Sequence, residues 1–277
     1  MIKKLFTILL GLVVLTAHAE TYKIYIGNSA GSLSDVYTRK IFDQVEKITG
    51  DNFVVVNRPG ADQMVAYQAM LDESRTNTNV IYSSGTATQA ASYALHPELK
   101  LDPLRDTKSV ITVAVVHYHL IVKTDSPIKS IKDIQGRVNI GVSNATTTTL
   151  IARSKLGAEV QTIPYKSDNE IILALLKNEI PVASAISLNP LIYTHRDNIR
   201  IISSFENLNV TGATGYTVAQ NFPNEKLRNL NRAINQVLDH PDIRDWFKKS
   251  MGTYPAGGTP AQYDNVIRQF KKVVVDQ

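Results

Sequence analysis

Three stretches of small, hydroxyl-bearing residues stand where a short apolar run gives way to an amphipathic one: Asn28-Ser29-Ala30-Gly31-Ser32-Leu33-Ser34-Asp35, Ser83-Ser84-Gly85-Thr86-Ala87-Thr88 and Ser143-Asn144-Ala145-Thr146-Thr147-Thr148. Small side chains let backbone amides come close to a ligand, hydroxyls add neutral donors, and a helix starting at such a loop aims its unpaired N–H groups at whatever lies there. The helix dipole suits that place to an anion. Each loop alone also reads as an ordinary capped turn, with Ser34 or Asp35 fit to cap the helix that follows. Taken together, at equivalent strand ends and from both halves of the chain, they read as one site facing across a cleft. Its members are Asn28, Ser29, Ala30, Gly31, Ser32 and Asp35, then Ser84, Gly85 and Thr86, then Ser143, Asn144, Thr146 and Thr147. Thr148 and Thr149 turn away toward sheet or solvent, because successive helical positions lie about 100° apart.

Two further patterns bear on chemistry. Gly141-Val142-Ser143-Asn144-Ala145 is similar to a nucleophile elbow, where a strained strand-to-helix turn exposes a serine. It closes on Ala145 where that motif has glycine, and the downstream His195 and His240 stand in no acid-histidine context. A serine hydrolase using Ser143 is therefore the rival from another class, and the chain is read as a binding protein, not an enzyme. His117 and His119 flank Tyr118 and share one face of a strand, a spacing that suits a metal. With no acidic or histidine partner nearby, they are read as polar side chains lining a cleft or a sheet face. No metal and no cofactor is expected.

The elements that carry these loops alternate. Tyr22 to Ile26, a helical pattern through Val36, Ile41, Val45 and Ile48, and Phe53 to Val56 make a βαβ unit. A helix at Met64 to Leu71, a strand at Val80 to Tyr82 and a helix at Thr86 to Leu95 continue it. After an apolar run from Val110 to Val122 the rhythm restarts: strand Val138 to Val142, helix Thr146 to Leu156, strand Val160 to Ile163, helix Asn169 to Leu176, strand Val182 to Ile186. Helices at Glu225 to Leu238, Pro241 to Met251 and Pro260 to Val275 have no strands of their own and are assigned to the first lobe. The fold class is α/β: two lobes, each with a central mixed, mostly parallel sheet, joined by crossing strands. Residues 20–121 with 220–277 form lobe 1 and residues 122–219 form lobe 2, with the ligand cleft between them.

Lys3 and Lys4, an apolar run from Leu5 to Leu15 and Ala17-His18-Ala19 have the order of a signal peptide, residues 1–19, cut before Glu20. The run is shorter than the roughly 20 apolar residues of a membrane span. The chain has no cysteine, which excludes a lipoprotein anchor, disulfides and thiolate chemistry. The expected location is the periplasm. The formal net charge of +5, two units of it from Lys3 and Lys4, is spread without a long basic stretch, so no nucleic-acid partner is expected. The expected state is a monomer.

Val54-Val55-Val56-Asn57-Arg58-Pro59-Gly60-Ala61, Leu101-Asp102-Pro103-Leu104-Arg105-Asp106, Ile163-Pro164-Tyr165-Lys166, Asp239-His240-Pro241-Asp242-Ile243-Arg244 and Gly257-Gly258-Thr259-Pro260 occur in that order. In this order and spacing the chain resembles the extracytoplasmic solute receptors of tripartite tricarboxylate transporters, the Bug or TctC family. The resemblance implies a type II periplasmic-binding fold that closes on a small carboxylate-type solute and serves the integral membrane subunits of such a transporter. A receptor of the same fold serving another transporter or a membrane sensor is the nearer alternative. The family's first loop, Pro-Phe-x-Pro-Gly-Gly-x-x-Asp, is matched at Gly31 and Asp35 but not at Asn28, Ala30 and Ser32. The resemblance also assigns Tyr165 to the site. Many members place an aspartate near Ala185, which implies a specificity here unlike that of members binding amino acids.

Overall fold

Strand β1, Thr21–Ile26, buries all but its first and third residues and is flanked in its sheet by β2, Asn52–Asn57, and β3, Val80–Gly85. The computed structural model describes residues 19–92, 96–142, 145–153, 156, 158–205 and 211–275. Helix α1, Leu33–Thr49, presents Tyr37, Thr38, Ile41, Phe42 and Val45 on one face, the spacing of an amphipathic helix, and ends at Gly50 in the left-handed region. Helix α2, Met64–Ser74, covers the other side through Met64, Tyr67 and Met70. The segment read as a helix from Thr86 includes a π-helical turn at Thr88–Ser92; residues 93–95 lie outside the described residues. A short α3, Pro103–Asp106, leads into β4, Thr107–Val116.

The long apolar run then divides at His117 into β4 and β5, Tyr118–Lys123. The second lobe follows with β6, Arg137–Val142; α4, Ala145–Arg153; β7, Glu159–Pro164; α5, Asp168–Leu176; β8, Val182–Ile186; α6, Pro190–Thr194; and β9, Ile199–Ser203. The chain returns as β10, Gly212–Ala219, and ends in α7, Asn224–Asp239, α8, Pro241–Met251, and α9, Pro260–Val274. Helix α9 packs on β4 and β10, and α7 on α1 and β4, both within the first lobe; α9 also meets α4, and α8 meets α6, across the lobes.

Each sheet has five strands, in the orders β2-β1-β3-β10-β4 and β7-β6-β8-β5-β9. In both, the fourth strand runs antiparallel to its two neighbours and the others share one direction. That reversed strand is in each case the one arriving from the other lobe. The sheets therefore part the chain at His117 and between residues 205 and 212, whereas the boundaries read from sequence, 121/122 and 219/220, fall within β5 and at the end of β10. One buried cluster runs through both lobes, from Ile41, Phe42 and Tyr216 through Tyr118 and Phe270 to Val138, Ile140 and Leu150. Tyr118 and Phe270 meet with ring centroids 5.8 Å apart.

Candidate functional site

β1 delivers the first loop through Gly27, which is buried against the neighbouring loop: a Cβ there would collide with the side chain of Gln63. Gln63 is one of three consecutive left-handed residues, with Ala61 and Asp62, so a strained turn braces the first loop. The loop's own residues are small, and larger neighbours hold it. Asn57, at the end of β2, donates through Nδ2 to Asn28 O at 3.0 Å and to Asp35 Oδ1 at 3.1 Å. Asp35 Oδ2 accepts from the Gly31 N–H at 2.9 Å, and Oδ1 from Arg39 Nε at 3.0 Å. Burial opposes the charge on Asp35, but the donors from Arg39, Gly31 and Asn57 outweigh it and hold the carboxyl below its usual range. At 4% exposure this carboxylate is the loop's anchor. Ser34 donates to Asn28 Oδ1 at 2.9 Å, and the helix N-cap is Ser32, with no side chain closing the first turn of α1. Ser29, Ala30 and Gly31 are exposed and Asn28 and Ser32 half-buried, with Gly31 left-handed at φ 77°.

At the end of β3 the residues differ in direction. Ser84 turns into the lobe, its hydroxyl 3.0 Å from that of Tyr263 and 3.4 Å from Gly215 O. Gly85 is half-buried and not left-handed, and a side chain there would meet only Ala213 O, at 3.7 Å. Thr86, 1% exposed, accepts through Oγ1 from the Ala213 N–H at 3.2 Å and hydrogen-bonds the Tyr118 hydroxyl. Burial pushes that hydroxyl's pKa above its usual range, with nearby Asp168 adding to the effect. A Cβ at Gly212 would lie 2.8 Å from Thr86 Oγ1 and 3.0 Å from the Tyr118 ring. Thr86, Gly212 and Tyr118 thus pack together where both crossings meet, and Ser84 and Thr86 spend their hydroxyls on protein partners.

In the second lobe Ser143, Asn144 and the side chain of Thr147 lie outside the described residues. Thr146 is buried at 2% exposure. Tyr165 is half-buried at the end of β7; its N–H donates to Val142 O at 2.8 Å and its ring covers Gly141. A Cβ on Gly141 would come within 2.6 Å of Ile180 and 2.8 Å of Ile171, so helix packing accounts for this glycine of the serine motif. His195 closes the end of α6, and His240 caps α8, its Nδ1 accepting from the Asp242 N–H at 3.3 Å. His117 is exposed and exchanges backbone hydrogen bonds with Ser187, at 3.0 Å to its Oγ and 2.8 Å from its N–H. His119 is buried, with Nδ1 2.8 Å from Ser204 Oγ, and stacks on His117 at 6.4 Å. Ala185 is buried beneath α5 with Tyr165 at its edge.

The model of the tripartite tricarboxylate transporter family receptor matches residues 37–212. The chain belongs to that family. A UPF0065 protein of Cupriavidus necator is 24% identical over 280 residues, covering 88% of this chain and 84% of the relative. Protein BugT of Bordetella pertussis is 25% identical, covering 89% and 85%. The MatC protein of Rhodopseudomonas palustris, solved with bound malate, superposes with a TM-score of 0.74 at 16% identity over 94% of this chain and 99% of that one. An R. palustris protein solved with adipate gives 0.73 at 17% identity over 93% and 95%. A TctC solute binding protein from Polaromonas shares the fold too, with a TM-score of 0.72 at 16% identity over 95% of this chain and 100% of that one.

In this receptor, sequence reasoning passed over Asn57, Tyr118, Ser187 and Asn189. Asn57 was visible as part of Asn-Arg-Pro-Gly-Ala but not as the donor that pins the first loop. Tyr118 was hidden by the two histidines beside it. Asn189 precedes Pro190, the signature of a helix start, and its side chain both caps α6 and donates to Asn169 Oδ1 at 3.0 Å.

Proposed function

We propose that this protein is a periplasmic receptor that captures a small carboxylate-type solute in the cleft between its lobes and presents it to the membrane subunits of a tripartite-type transporter. The observation that carries the reading is the first loop: an uncapped start of α1 behind a backbone segment fixed by Asp35, Asn57 and Arg39, whose own residues from Asn28 to Ser32 are no larger than asparagine. Such a loop offers oriented amides and a helix dipole to an anion. Malate and adipate in two structural neighbours support a carboxylate. The backbone of Asn28, Ser29, Ala30, Gly31 and Ser32 and that of Ser84 and Gly85 make one wall; Thr146 and Tyr165 belong to the other. Asp35 and Thr86 hold the walls in place. Closure follows from contacts made only in the closed state. Residues 1–19 direct export and are removed, leaving a monomer without lipid in the periplasm.

The test is a thermal-shift screen of residues 20–277 against mono-, di- and tricarboxylates, with Gly85→Leu beside it. A ligand at 100 times its Kd adds about 2.7 kcal/mol to the folded state. The shift is expected with one class of carboxylate and lost in Gly85→Leu at unchanged ligand-free Tm. No shift with any carboxylate, from ligand-stripped folded protein, would sink the reading.

A further inference from the structure

Glu20, the first residue after the proposed cut, is gripped from several sides. Its N–H donates to Asp51 Oδ1 at 3.0 Å, and its carbonyl accepts from the Asn52 N–H at 2.8 Å. Its carboxylate takes Lys226 Nζ at 2.6 and 2.7 Å and the Tyr22 hydroxyl at 2.9 Å. Lys226, on α7, also reaches Asn79 Oδ1 at 2.9 Å. The hydrogen bond from Lys226 holds the Glu20 carboxyl below its usual range. Asp51 differs: among the described residues no cation stands against it, and what faces it is the Glu20 nitrogen.

In the uncut chain that nitrogen is a neutral amide. Hydrolysis of the Ala19–Glu20 bond places the water oxygen on Ala19 as a carboxylate and both water protons on the nitrogen, which becomes an ammonium. We propose that Asp51 is the receiving site for the new N-terminal ammonium, so that removal of the leader completes an ion-pair network joining β1, the α1–β2 turn and α7. The charges around the nitrogen favour this. Asp51 meets it, the carboxylate of Glu20 belongs to the same residue, Glu46 of α1 accepts from the Phe53 N–H at 2.7 Å, one residue past the Asn52 amide that meets the Glu20 carbonyl, and Lys226 is the cation facing Glu20 from α7. The surroundings thus hold more negative than positive charge until the cut supplies the missing cation. The proposal rests on the cleavage reading above and is independent of the ligand.

An α-ammonium ordinarily loses its proton near pH 8, about 7.7–8.0. A carboxylate partner holds the proton to higher pH. The contribution is therefore complete below the ordinary value and lost as pH rises through the raised one.

The experiment compares four purified proteins: residues 20–277 and the same chain retaining Ala19, which moves the ammonium outward by about 3.5 Å, each with Asp51 and with Asp51→Asn. Thermal unfolding is followed from pH 6 to pH 10. At pH 7 the Glu20-start protein is expected to melt about 2–4 °C above the Ala19-start protein, the shift that corresponds to about 1 kcal/mol in a chain of this size. The difference should close by pH 10, and Asp51→Asn should abolish it. Equal melting profiles for the two starts, or a difference that survives Asp51→Asn, would overturn the proposal. The intact mass of protein exported from the full chain reports the cut separately. A mass beginning at Glu20 is expected; a cut elsewhere overturns the cleavage reading itself.

Discussion

Asp35 accepts hydrogen bonds from Gly31, Arg39 and Asn57, while no residue of the segment it holds, Asn28 to Ser32, is larger than asparagine. The loop's conformation therefore depends on one buried charge. Asp35→Asn keeps the size and loses the charge, and should cost about 1–3 kcal/mol and weaken ligand binding as the loop loosens. Denaturant melts and titration calorimetry check both. Because the Asp35 carboxyl is held below its usual range, its contribution is present above the ordinary value near pH ~3.9 and lost as pH falls through the lowered one. Wild type should lose stability relative to Asp35→Asn on acidification from pH 5 to pH 2.5. Two glycines make a contrasting pair. Gly27→Ala drives a Cβ into Gln63 and should cost about 2–3 kcal/mol, whereas Gly85→Ala meets only Ala213 O at 3.7 Å and should change stability by less than about 1 kcal/mol. Sequence shows both as glycines in loops after strands. Which one is demanded by packing depends on a residue 36 positions further along for Gly27, and no local pattern carries that information.

The βαβ repeats were legible because their strands lie between helices and their helices have one apolar face, as in α1 and α7. The two strands missed, β9 and β10, fail for physical reasons. β10 is buried on both faces, so Gly212-Ala213-Thr214-Gly215-Tyr216-Thr217-Val218-Ala219 shows no alternation, and its two glycines read as a loop. Both glycines are required by neighbours: Gly215 lies against Ile111 O and the Tyr263 ring, and Gly212 against Thr86 and Tyr118. The loops at strand ends were likewise legible as strand-to-helix turns, but the turn of Ser84 toward Tyr263 was not, since alternation fixes which face a strand residue takes only once its layer is known. At the crossing, Tyr118→Phe removes the hydroxyl that meets Thr86 and should cost about 1 kcal/mol while shifting the balance of open and closed lobes. Small-angle scattering of the ligand-free variant, with a radius of gyration different from wild type, is the expected sign; an identical curve and identical affinity would count against a role for this hydroxyl in that balance.

At the scale of the molecule, two sheets of one topology share a single buried cluster through Tyr118 and Phe270. Lobes joined in this way should melt together despite their separate sheets. Calorimetry of the ligand-free protein is expected to show one transition, coincident with loss of far-ultraviolet circular dichroism. Two resolved peaks would mean that the shared cluster does not couple them.

The first sheet is assembled from both ends of the chain, and the second from one continuous stretch between His117 and residue 205. A chain released from its N terminus, as in the export proposed above, therefore emerges in an awkward order. β1, β2 and β3 arrive first, with the edge of β3 open until β10 is released some 130 residues later. The second lobe can close on itself in the meantime. A nascent chain stopped before Gly212 should hold a folded second lobe beside an unfinished first one, so the release of β10 sets the moment at which the first sheet can be completed.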